Sequence, residues 1–124
     1  MEVFEQIYTP QEREKAKKKN ISAIKRQLKS VDKDVIKMNE HLIEEAAMYS
    51  VMLSEINAII ERDGIVDTYK NGENQYGTKK SVAAELKPKY TATYQSLIRQ
   101  LTELLPTESE KDAAKELMDF LNGK

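Results

Sequence analysis

This chain has no cysteine and no tryptophan, a single histidine, four glycines and three prolines among its 124 residues. Without cysteine there is no disulfide framework, no thiolate nucleophile and no thiolate-bound metal. The lone imidazole, His41, has Glu44 and Glu45 one helical turn away, yet no second histidine or cysteine completes a metal site. That trio reads as a solvated histidine on an acidic helix face, so neither metal nor other cofactor is expected. The glycines of "NGENQYG" lack the lysine and following helix of a phosphate-binding loop, and no G-x-S-x-G elbow is present. No catalytic residue is expected. No run approaches the roughly 18 apolar residues that span a bilayer, and "MEVFEQIYTP" is too polar for a secretory signal. The expectation is a cytoplasmic protein without a membrane partner.

What the chain does have is charge, at 33% of residues, and the net of −1 conceals its uneven spread. Residues 11–29 carry Arg13, Lys15, Lys17, Lys18, Lys19, Lys25, Arg26 and Lys29 against only Glu12 and Glu14, a local net of +6. Residues 31–63 come to −5. A chain divided in this way is suited to hold a polyanion at one end and repel it in the middle. The eight basic residues could line a phosphate backbone through charge alone, with little base readout, and are the candidate DNA-binding set if the chain binds nucleic acid. The bland alternative is a lysine-rich helix balanced by its acidic neighbour. No helix-turn-helix is legible in residues 10–60.

Apolar spacing predicts three long helices. Thr9, Pro10 and Glu12 make a capping box with proline at the first helical position. The helix that follows runs to about Lys29, but with only Ala16, Ile21, Ala23, Ile24 and Leu28 as its apolar side, its first half is expected to fray when nothing is bound. Next, Val35, Leu42, Tyr49 and Ile56 recur every seven residues, with Ala46, Leu53 and Ile60 four later, and Ile36, Met38, Ile43, Met52 and Ile59 widening the stripe. Ser30 or Asp32 can cap it and Gly64 suits its end. If continuous, about 30 residues would reach about 45 Å. Its partner carries Leu86, Tyr90, Tyr94, Leu97, Leu101 and Leu104 and stops at Pro106; Pro88 should kink it or delay its start.

Between those two helices, "IVDTY", "KNGEN" and "QYGTK" read as strand, Asn-Gly turn and strand, with Tyr69 and Tyr76 placed to stack across the pair. The fold class is thus mainly α. A long antiparallel helical hairpin has a short β-hairpin tip, a basic N-terminal helix and a short C-terminal helix. The organisation is 1–30 basic helical segment, 31–106 helical-hairpin core and 107–124 tail. The apolar face is too wide for two helices, so self-association is expected through Val35, Leu42, Tyr49, Leu53, Ile56, Ile60, Tyr90, Tyr94, Leu97 and Leu101.

Taken in order, "LIEEAAMYSVMLSEINAIIERDG", "VDTYKNGENQYGTKKS" and "YTATYQSLIRQLTELLP" resemble the small terminase subunits of tailed bacteriophages, of the P27-like group. The resemblance covers nearly the whole chain and rests on order and spacing. It implies a ring-shaped homo-oligomer that binds the packaging initiation region of viral double-stranded DNA. The ring would present that DNA to the large ATPase and nuclease subunit in the cytoplasm of an infected or lysogenic bacterium. The tail, with Leu117, Phe120 and Leu121, would be the docking segment for that subunit. Two departures stand: Val82 follows Ser81 where relatives often have proline, and the helix-turn-helix many members carry is absent. A helical adaptor or scaffold with no nucleic-acid role remains the alternative, and a dimeric transcription regulator a third reading.

Overall fold

The computed structural model describes residues 7–70, 76–106 and, in the tail, 115, 116 and 119. The chain is mainly α-helical with one small two-stranded antiparallel sheet. Its elements are α1 (Pro10–Gln27), α2 (Lys33–Met38), α3 (Glu40–Asp63), β1 (Val66–Lys70), β2 (Tyr76–Lys80) and α4 (Val82–Thr102). Among the described residues, no helix is long and apolar enough to cross a membrane.

The start of α1 follows from its first residues. The Glu12 amide donates to Thr9 Oγ1 at 3.1 Å and the Thr9 amide to Glu12 Oε1 at 3.2 Å, with Pro10 opening the helix. Two otherwise orphaned amides are satisfied reciprocally. Of the two residues expected to cap the next helix, Ser30 and Asp32, it is Asp32 that does so, accepting from the Asp34 amide at 2.8 Å.

The long central helix is not continuous. It breaks at Asn39, whose φ of −109° and ψ of 16° leave the helical region. The Asn39 side-chain amide donates to the Val35 carbonyl at 2.8 Å, and its backbone amide is shared between Val35 and Ile36. An asparagine that bonds its own preceding turn competes with the helical ladder. What remains is the six-residue α2 and the 24-residue α3, the latter about 36 Å long. Gly64 closes α3 at φ 80°, its amide donating to the Ile60 carbonyl at 2.7 Å. A side chain there would meet open space, so the requirement for glycine is purely the left-handed backbone.

Pro88 does not delay the start of α4. Ser81 caps the helix by accepting from the Ala84 amide at 3.1 Å, and α4 begins at Val82 and runs through the proline. Pro88 is exposed and lies in the second turn, where it removes one backbone bond at the surface. The strands each lie one residue later than the spacing suggests. Their register pairs Tyr69 with Gly77 and Lys70 with Tyr76, so the two tyrosines are not cross-strand partners. The expected Asn-Gly turn lies outside the described residues. The Ser81 amide donates to the Ile65 carbonyl at 2.9 Å and fastens the base of the sheet.

α3 packs against both α1 and α4. The larger apolar cluster joins Ile24 and Leu28 of the N-terminal region to Ile43, Ala46, Ala47 and Leu53 of α3 and to Tyr94, Leu97, Ile98, Leu101 and Leu105. A smaller one joins Ile56 and Ile59 to Ala83, with Ile7, Ile60, Leu86 and Tyr90 against it. Tyr49 and Tyr90 meet edge to face, centroids 5.4 Å apart.

This packing corrects the premise behind the self-association set. Leu53, Ile56, Tyr94, Leu97 and Leu101 are all buried inside the single chain, and Leu42, Tyr49, Ile60 and Tyr90 are half-buried against the same clusters. Val35 is half-buried on α2. α1 also packs on α3 and helps cover its apolar face. Five of the ten side chains therefore have no surface to offer a second copy. Among the described residues, the large apolar side chains left exposed are Met38, Ile65, Val66 and Val82.

Candidate nucleic-acid interface

Attachment of α1 to α3 sorts its basic residues into two groups. At about 100° per residue, Arg13, Lys17, Ile24 and Leu28 share one face of the helix. Ile24 and Leu28 are buried there, while Arg13 and Lys17 are half-buried. On the opposite face, Gln11, Lys15, Lys18, Lys19, Ser22 and Arg26 fall within an arc of about 100°. All six are exposed. No carboxylate lies in this stripe. From Lys15 to Arg26 it runs about 16 Å, a length over which a DNA duplex presents about nine phosphate charges.

The structure thus brings Lys15, Lys18, Lys19 and Arg26 together as one outward surface, with Lys29 exposed just past the helix end. It directs three of the eight candidates elsewhere. Lys25 is half-buried, its Nζ donating to Glu40 Oε1 at 3.0 Å. Lys17 lines a cleft of about 530 Å³ together with Met48, Met52, Ile56, Leu86 and Tyr90 among others. Arg13 turns inward onto Glu55, with Nε donating to Oε1 at 2.9 Å and Nη2 to Oε2 at 3.0 Å. A guanidinium held bidentate by a carboxylate has spent its planar fork. Arg13 is accordingly not available as a phosphate contact in this arrangement.

Glu55 is the residue that charge counting along the sequence passes over. It is only 7% exposed, and its Oε2 also accepts from the amides of Ile7 and Tyr8, at 2.9 and 3.1 Å. The Arg13 hydrogen bonds hold its carboxyl below the usual range against the opposing effect of burial, with the Tyr8 and Ile7 amides adding to the depression. Arg13 is in turn raised, chiefly by the same bond. The Tyr8 hydroxyl adds a 3.2 Å hydrogen bond to Ser54 Oγ. The signal is present in the row Val51, Glu55, Ile59, spaced at four on the buried side of α3: a carboxylate in an apolar row demands a partner.

His41, Glu44 and Glu45 are all exposed, and among the described residues no group of three or more potential ligands is positioned to hold a metal. Tyr94 is buried, which raises its phenol above the ordinary value, while a hydrogen bond with Ser50 opposes the shift. Leu117, Phe120 and Leu121 lie outside the described residues.

No protein-family model, curated protein or solved structure matches this chain.

Proposed function

We propose that this chain is a non-catalytic, DNA-binding small subunit of a phage packaging terminase, acting in the host cytoplasm. The carrying observation is the carboxylate-free stripe of Lys15, Lys18, Lys19 and Arg26 on the solvent side of α1. A row of cations on a helix whose other face is anchored suits sequence-tolerant grip on a phosphate backbone. The resemblance to P27-like small terminase subunits supplies the biological setting. The finer architecture proposed with it is a long antiparallel hairpin of α3 and α4 tipped by the β-sheet, assembled as a homo-oligomer. Since half the expected contact residues serve the chain's own core, assembly would use the exposed Met38, Ile65, Val66 and Val82. The 107–124 tail, with Leu117, Phe120 and Leu121, would dock the large subunit.

One observation favours a second reading, a helical adaptor without nucleic-acid contacts: the chain covers most of its apolar face by itself. A salt titration of duplex DNA binding separates the two. If four or five lysine and arginine side chains displace counterions, log Kobs falls against log salt with a slope of about −4. Replacing Lys15, Lys18, Lys19 and Arg26 with glutamine should flatten that slope towards zero. Binding that is absent, or unchanged in the quadruple variant, rejects the DNA reading. Light scattering over a range of concentrations tests assembly, and a monomer throughout removes the ring.

A further inference from the structure

A buried carboxylate on α3 gathers the N-terminal segment and the first turns of α1 at one point. Glu55 accepts from two consecutive backbone amides, Ile7 and Tyr8, and from two nitrogens of Arg13. Every one of these donors lies more than 40 residues away in sequence, on the far side of the Thr9 cap or one turn inside α1. The only fully buried side chain within α1 is Ile24, near its other end, so apolar burial does little for this half of the helix. Lys15 and Lys18 sit in the half that Glu55 fastens, and Lys19 follows directly at the helix midpoint.

We infer that Glu55 is a positioning residue for the basic stripe: its clamp on Arg13 and the 7–8 amides keeps the first half of α1 helical and fixed, so that Lys15, Lys18 and Lys19 act as one surface with Arg26. The inference rests on the DNA-binding reading above and adds to it a residue that touches no DNA. It also gives Arg13 a different role from its basic neighbours. A multidentate, partly buried carboxylate is far more specific than the lysines themselves, since its four bonds fix both the direction of the entering chain and the rotation of the helix.

The sign of the effect makes the inference testable. Removing a negative charge from a protein that binds a polyanion should tighten binding if charge alone matters. Loss of positioning should weaken it. The experiment compares the unaltered full chain with Glu55→Gln, Arg13→Lys and, as a charge control, Glu44→Gln on the exposed side of α3. Backbone hydrogen exchange and the affinity for a short DNA duplex are measured where circular dichroism shows each variant folded. Glu55→Gln is expected to speed exchange across residues 9–19 about tenfold while amides of α3 and α4 keep their protection. Its duplex affinity should drop about threefold or more, against a small gain for Glu44→Gln. Arg13→Lys, which keeps the charge but loses the fork, should fall in the same direction as Glu55→Gln. The inference is overturned if exchange at 9–19 is unchanged, or if Glu55→Gln binds as tightly as the unaltered chain or more tightly. Failure of the unaltered chain to bind DNA in a salt-dependent way overturns the proposed function and the positioning role together. Faster exchange confined to 9–19 would then still establish the clamp as the anchor of α1.

Discussion

The two ends of α1 are held to the same helix by opposite chemistry. Towards its C-terminal end, Ile24 and the capping residue Leu28 enter the main core and are each 2% exposed. Towards its N-terminal end there is almost nothing apolar to bury, and a carboxylate takes over, collecting a guanidinium and two amides. Apolar burial is non-directional and tolerates small shifts of the helix. A bidentate pair with added amide donors is directional and does not. The outward stripe is therefore anchored loosely in rotation at one end and tightly at the other, which explains how so polar a helix keeps a defined face.

The largest losses are expected at the apolar end. Leu28→Ala, like Leu53→Ala in the centre of the core, should cost about 2–5 kcal/mol in urea unfolding. A loss for Leu28→Ala no larger than that of a surface substitution would mean that the end of α1 is not part of the core. The polar end should respond to acid instead. Glu55 has a folded pKa depressed below its ordinary 4.5. Its contribution is then fully present above that value and is lost as pH falls through the lower folded value. Unfolding free energies measured from about pH 7 downwards should decline more steeply for the unaltered chain than for Glu55→Gln. Parallel pH curves would show that the clamp is not coupled to folding. Asp63, lowered by its bond to Arg62, acts in the same direction in both proteins and cancels in the comparison.

Thr9→Ala removes the cap between the clamp and the helix and should cost about 1 kcal/mol, read as faster exchange at the first amides of α1. Lys25→Ala deletes an ion pair with Glu40 whose partners are 41% and 49% exposed. Stability should change by no more than about 0.5 kcal/mol. A larger loss would mean that the apolar end also depends on charge.

Features governed by near neighbours are legible in the sequence itself. The capping box of Thr9 and Glu12, the end of α3 at Gly64, and two short antiparallel strands between α3 and α4 all follow from contacts within a few residues. Pro88 does not delay its helix as its residue type suggests, and Asn39 breaks a helix that the apolar spacing runs through. An asparagine in a helical row looks harmless until its side chain bonds the Val35 carbonyl, whereas a proline one turn inside an exposed start loses a single bond. The candidate site is legible in the sequence as a count of charges but not as a surface. All eight basic residues look equivalent there, and Glu55 differs from the other acids only in sharing a row spaced at four with Val51 and Ile59.

The sequence by itself determined the helical character of the chain, the segregation of positive charge into residues 11–29 and the absence of cysteine chemistry, because composition and local spacing carry these directly. Only the tertiary structure decided which side of α1 faces inward. That choice depends on Ile24 and Leu28 finding the flank of α3 and on a buried carboxylate more than 40 residues away requiring Arg13. Once that face is committed, Lys15, Lys18, Lys19 and Arg26 have no direction left but outward, because the helix turns its residues at a fixed angle.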